Sequence, residues 1–146
     1  MKKLANVLKS LIILILIPIS LFSQKDANGL SLMPMPENIE LNAGKFVLDK
    51  NFTIVLNSNE KKLFDAAYRS IKIITDRSGL FLLNQFPFTT NEVKGKGIII
   101  NVGEDVKLEL GIDESYQLVI SNDEIKIDAP NTFGAMHGLS TLVQLL

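Results

Sequence analysis

Glu114-Ser115-Tyr116-Gln117-Leu118-Val119-Ile120-Ser121-Asn122-Asp123-Glu124-Ile125-Lys126-Ile127-Asp128-Ala129-Pro130 is the stretch whose reading decides the fold. Two alternating runs flank a polar break. Tyr116, Leu118 and Ile120 point to one side, and Ile125, Ile127 and Ala129 do the same on the return. The pattern is a β-hairpin with one buried face. Asn122-Asp123 supplies the turn, because both residues tolerate left-handed backbone. Pro130 stops the second strand and Asn131 is a good N-cap for a helix running to residue 146. In that helix Met136, Leu139, Val143 and Leu146 fall on one stripe. Leu145-Leu146 closes the stripe with no cap and no polar turn. The helix is therefore expected to lead into an apolar partner beyond it.

Upstream of the hairpin, Val102 to Ile112 reads as a charged connection, and Ile98-Ile99-Ile100 as a strand buried on both faces. Lys94-Gly95-Lys96-Gly97 is a turn. It lacks the Gly-Lys-Ser/Thr ending that a phosphate loop needs before its helix. Leu80 to Phe88 is apolar and irregular around Pro87, either a short strand or a packed loop. Before it, Leu63, Ala67, Ile71 and Ile74 repeat at helical spacing, with Phe64 and Tyr68 flanking. Ser58 or Asn59 caps that helix, Glu60 favours its dipole, and Gly79 ends it. Gly44-Lys45-Phe46-Val47-Leu48 and Phe52-Thr53-Ile54-Val55-Leu56 are rich in strand formers. Asn51-Phe52-Thr53 matches a glycosylation sequon but opens a strand, and is read as chance. Met33-Pro34-Met35-Pro36 holds an extended lead-in. The predicted class is α+β, a largely antiparallel (mixed) sheet with two helices on one face.

The first residues are of another kind. Lys2, Lys3 and Lys9 precede Leu11-Ile12-Ile13-Leu14-Ile15-Leu16-Ile17, and Pro18, Ser20 and Ser23 follow. A basic start, a short apolar core and small residues before a cleavage point describe a secretory signal over residues 1–23. The apolar run is shorter than the ~20 residues that span a bilayer, so no stable membrane insertion is expected. An uncleaved anchor is the alternative. Residues 24–31 form a polar leader. Removing the three lysines takes the formal net charge from −1 to −4, which argues against nucleic acid and anionic membranes as partners. Cysteine is absent. An exported chain then uses no disulfides and carries no lipid on an N-terminal cysteine. About 120 residues remain, enough for one domain with one core.

Chemistry is hard to find in these residues. The acidic pairs Glu104-Asp105, Asp113-Glu114 and Asp123-Glu124 invite a glycosidase reading, which needs two carboxylates converging on one bond. Each pair instead lies beside a strand, where solvated acids are expected. His137 is the lone histidine. It has no cysteine or clustered carboxylate to share a metal with, and a packing or interface role is the reading. No catalytic, substrate-binding or metal-binding residue and no cofactor is expected. Gly134 and Gly138 are four apart and share a helix face. Each costs about 1 kcal/mol there relative to alanine. Something packs very close to that face, either the domain's own sheet or a neighbour beyond the chain.

Glu114-Ser115-Tyr116-Gln117-Leu118, the Ile125/Ile127/Ala129 strand, and Gly134-Ala135-Met136-His137-Gly138-Leu139-Ser140-Thr141-Leu142-Val143-Gln144-Leu145 together resemble the N-terminal accessory domain of glycoside hydrolase family 20, the β-N-acetylhexosaminidases. Met33-Pro34-Met35-Pro36 and Gly44-Lys45-Phe46-Val47-Leu48 are similar to that domain's opening. The resemblance implies an accessory domain over residues 32–130 and a helix, 131–146, leading into a TIM barrel that carries the chemistry. It implies an exported parent enzyme that removes terminal N-acetyl-β-hexosamine from glycans or chitooligosaccharides. The family's H-x-G-G-D-E motif is missing here, so no catalytic role carries over and the chain's chief partner would be its own absent barrel. Accessory domains before family 84 or 67 barrels, and a free-standing interaction module, are the alternatives.

Overall fold

The computed structural model describes residues 29–81, 88–89, 96–104 and 106–146. Ser31–Leu146 form one compact unit. In chain order it contains β1 (Thr53–Asn57), α1 (Lys61–Ser78), β2 (Phe88–Thr89), β3 (Gly97–Glu104), β4 (Gln117–Ile120), β5 (Glu124–Asn131) and α2 (Thr132–Gln144). The signal segment, most of Leu80 to Phe88, and the Lys94-Gly95 half of the turn lie outside the described residues.

The strands form one sheet in the order β2-β1-β3-β5-β4. The α+β class, the mixed sheet and the two helices agree with the sequence reading. The balance of the sheet does not. β1 runs parallel to β2 and β3, and β3 runs parallel to β5, so β4–β5 is the antiparallel pair. A sheet expected to be largely antiparallel is mostly parallel. Alternation has period two in either case and carries no direction. Direction comes from the connections. α1 carries the chain back between β1 and its parallel neighbours, and the β4 arm of the hairpin returns β5 alongside β3.

One face of the sheet makes the core. Ile54, Ile98 and Ile125 stand in register, and so do Leu56, Ile100, Ile127 and Leu118. The six from β1, β3 and β5 are buried. α1 adds Leu63, Ala67, Ile71 and Ile74, the stripe its spacing predicts, and α2 adds Ala135, Leu139 and Leu142. Both helices share one cluster with the same strand side chains, which places them on one face. Each fully buried Ile or Leu is worth about 1.5–3 kcal/mol.

Several elements differ in detail from the sequence reading. Gly44–Leu48 joins no ladder. β1 already has a strand on each side, so the segment pairs elsewhere. The Lys45 amide donates to Asn122 Oδ1, the Lys96 ammonium donates to the Val47 carbonyl, and Phe46 and Leu48 pack on the core. β3 continues through Val102 to Glu104, where a connection was expected. The hairpin forms, closed by Ser121, whose amide and hydroxyl both donate to the Glu124 carbonyl. Pro130 does not end β5, which runs to Asn131. β4 stops pairing at Asp128, so the donor that proline lacks is not needed there.

At the α1 start Glu60 is the N-cap without a side-chain bond, and Ser58 Oγ instead accepts from the Glu60 amide. Gly79 closes the helix with φ +69°, as its position requires. In α2 the buried seam is Ala135, Leu139 and Leu142, with Met136 and Val143 flanking and Leu146 half exposed past the helix end. The seam is turned from the expected Met136-Leu139-Val143-Leu146 stripe, because the two glycines draw their own side of the helix down onto β5.

Candidate functional site

The motif residues converge on α2. Asn131 caps it, its Oδ1 accepting from the amides of Phe133 and Gly134. The same side chain donates through Nδ2 to the Asp113 carbonyl. One turn on, a Cβ at Gly134 would strike the Ser115 carbonyl oxygen and stand 3.2 Å from the Ala129 Cβ. A further turn on, a Cβ at Gly138 would meet Ile127 Cγ2 at 2.8 Å and the Tyr116 ring at 3.2 Å. Tyr116 OH shares a 2.6 Å hydrogen bond with Thr141 Oγ1. His137 Nε2 and Glu114 Oε2 are 2.9 Å apart. Residues 113–116 are thus clamped along one side of the helix by Asn131, Gly134, His137, Gly138 and Thr141.

This geometry settles the two readings of the glycine pair. The close neighbour is the domain itself, the backbone at Ser115 and the face of β5. His137, read as a packing or interface residue, is an exposed hydrogen-bond partner of Glu114 on the rim of the clamp. Asn131→Ala removes one cap and one inter-segment bond together at a position 3% exposed. It is expected to cost about 2 kcal/mol, read as a lower urea midpoint at unchanged slope. A variant as stable as the parent would show that the clamp carries no weight.

The acidic pairs do not converge. Gly97 pairs with Glu124 and Glu104 pairs with Asn131, so Glu104 and Glu124 mark opposite ends of one strand pair, roughly 20 Å apart. Asp105 lies outside the described residues. Asp113 is tied into its own turn. Hydrogen bonds from the Ser115 side chain and amide hold its carboxyl below the usual range. Among the described residues no group of three or more His, Cys, Asp or Glu could hold a metal ion, and no helix is long and apolar enough to cross a membrane.

Two features escaped the sequence reading. Gln144 clasps the lead-in, its Oε1 accepting from the Met33 amide and its Nε2 donating to the Met33 carbonyl. On the open face of the sheet, Asn57 Nδ2 donates to Asn101 Oδ1 at 2.6 Å, and Asn101 Nδ2 donates to Asp128 Oδ1 at 2.7 Å. Lys126 pairs with the other Asp128 oxygen at 3.0 Å. Burial pushes the Asp128 carboxyl up, but the bonds from Asn101 and Lys126 outweigh it and leave it below the usual carboxylate range. Only the strand register brings these residues together, and no single strand shows it.

The chain matches the family described as beta-acetyl hexosaminidase like over residues 32–145. Beta-hexosaminidase 3 of Arabidopsis thaliana is 29% identical over 157 aligned positions, covering 98% of this chain and 28% of that protein. Beta-hexosaminidase subunit A2 of Dictyostelium discoideum is 42% identical over 67 residues, covering 42% of this chain and 12% of that protein. A Flavobacterium johnsoniae chitobiase structure superposes with a TM-score of 0.69 at 35% identity, covering 79% of this chain and 18% of that one. The chain spans between 12% and 28% of the length of these two curated relatives. With the hairpin, the glycine-bearing helix and this match over most of its length, the chain belongs to the beta-acetyl hexosaminidase-like domain family, an accessory domain of glycoside hydrolase family 20.

Proposed function

We propose that this chain is the non-catalytic N-terminal domain of an exported exo-β-N-acetylhexosaminidase, and that it serves as scaffold for a catalytic TIM barrel. The observation that carries the reading is the extent of the match. It runs from residue 32 to 145 of this chain while covering a minor share of each relative. The clamp on α2, made of packing and hydrogen bonds, suits a structural role. The parent would release terminal N-acetyl-β-hexosamine from glycans or chitooligosaccharides, and residues 1–23 would direct it out of the cytoplasm.

A surface suited to the scaffold role is present. Met33 and Met35 are exposed on the lead-in. The Gln144 clasp holds Met33 beside the end of α2. A barrel would cover this apolar ground.

The purified chain is expected to show no turnover of an aryl N-acetyl-β-glucosaminide. The coding DNA downstream of the Leu146 codon is expected to continue in frame for ~250 residues or more, the length of a barrel, and to encode H-x-G-G-D-E. Measurable turnover by the chain alone would overturn the non-catalytic reading. A downstream barrel with paired aspartates instead of that motif would move the parent to another glycosidase family.

A further inference from the structure

The open face of the sheet carries a row that the scaffold role does not use. Asn57, Asn101, Asp128 and Gln117 are partners in register across β1, β3, β5 and β4. They stand on the face opposite the core, since their sequence neighbours Leu56, Ile100, Ile127 and Leu118 fill it. The row crosses four strands about 4.8 Å apart, close to 14 Å in all. It borders an open cleft of about 380 Å³ lined by Ser115, Tyr116, Gln117, Asp128, Ala129 and Pro130.

Asn and Asp are depleted in strands, and three of them in one register row break a local rule that stability alone favours. Such breaks mark functional positions. The hydrogen bonds along the row align its planar groups and leave capacity unused. An amide carries two donors and an acceptor, so Asn57 keeps its carbonyl oxygen and one N–H, and Asn101 keeps one N–H. Lys126 offsets the Asp128 charge, so the row selects neither an anion nor a bare cation. One register row away on the same face stand Val55, Ile99, Lys126 and Val119. Val55 is buried, Ile99 half-buried and Val119 exposed, so apolar side chains flank Lys126 beside the polar row.

A neutral ligand with hydroxyls at its edge and C–H groups on its flat side fits both rows. We propose that this face binds an extended, uncharged β-linked oligosaccharide lying across the strands. The ladder spacing is close to the rise per sugar in such a chain. Successive residues would then place hydroxyls against Asn57, Asn101, Asp128 and Gln117 and C–H faces against Ile99 and Val119. The proposal deepens the hexosaminidase reading, from which the choice of probe follows, by giving the accessory domain a hold on the polymer outside any catalytic pocket.

The test is titration of the isotope-labelled chain with chitotriose, and separately with cellotriose, followed by the side-chain NH2 signals of Asn57, Asn101 and Gln117. Those signals are expected to shift and saturate at millimolar sugar. Gln117→Ala, a change at an exposed position, should weaken binding about threefold to tenfold, the loss of one ordinary hydrogen bond. Asn101→Leu should abolish it, with the core signals unchanged. Cellotriose binding as well as chitotriose would support a general β-glycan site. Shifts confined to other residues, no shift with either sugar, or a Gln117→Ala variant that binds like the parent would overturn the proposal. No catalysis is read in this experiment, so its failure would leave the hexosaminidase reading standing, and turnover or a different downstream motif would remove that reading without touching this one.

Discussion

Gly134→Ala is expected to lower the stability of the domain by about 2–3 kcal/mol, although it replaces the poorer helix former with the best one. In an exposed helix the change would gain about 1 kcal/mol. Here the new methyl falls on the Ser115 carbonyl oxygen, with the Ala129 Cβ at 3.2 Å behind it. Ser115 cannot swing aside like a flexible side chain. Its neighbours Asp113 and Tyr116 are tied to Asn131 and Thr141, so relief means moving the helix or tearing the segment from it. Overpacking of this kind costs about 1–3 kcal/mol or more, and the lost clamp bonds add to it. Gly138→Ala should be milder, within about 1 kcal/mol, because side chains of Ile127 and Tyr116 stand in the way and rotamers can yield. Urea unfolding of both variants checks the order. A Gly134→Ala protein as stable as the parent would mean that residues 113–116 do not press on the helix in solution.

The hairpin and the last helix were legible because their signals are local. Alternation over Tyr116–Ala129 names the buried face, and Asn131 names the start of the helix. The glycines announced a close approach, but sequence could not say to what, since Ser115 lies nineteen positions before Gly134 and reaches it only through the hairpin. Gly44–Leu48 misled for a related reason. Its composition suits a strand, yet strand formation needs a free edge, and β1 has none. The end of β3 was missed because Asn101 and Glu104 look like loop residues, and Asn101 is polar by virtue of the face it occupies. The direction of the sheet was hidden because alternation is blind to it, whereas the helix between β1 and β3 was the available sign of a parallel crossover. The Asn57–Asn101–Asp128 row depends on three strands at once, and only register makes it visible.

Ile127→Ala should cost about 2–5 kcal/mol, the range for deleting a large aliphatic side chain from a core. Ile127 is fully buried. It stands in register between Ile100 and Leu118, and its Cγ2 lies beneath Gly138. A domain of this size has about 5–15 kcal/mol in total, so the variant should unfold at a far lower urea concentration. The same contact sets a second, sharper expectation. Removing Cγ2 opens the space that a methyl at position 138 would need, leaving the Tyr116 ring at 3.2 Å as its remaining neighbour. Gly138→Ala should then change sign, and in the Ile127→Ala background it should stabilise, recovering part of the roughly 1 kcal/mol that glycine costs in a helix. A double-mutant cycle measures this directly, and residues in such contact couple by about 0.5–3 kcal/mol. Additive effects would show that the helix does not seat against β5 through Gly138, and that the glycine pair answers to the Ser115 backbone alone.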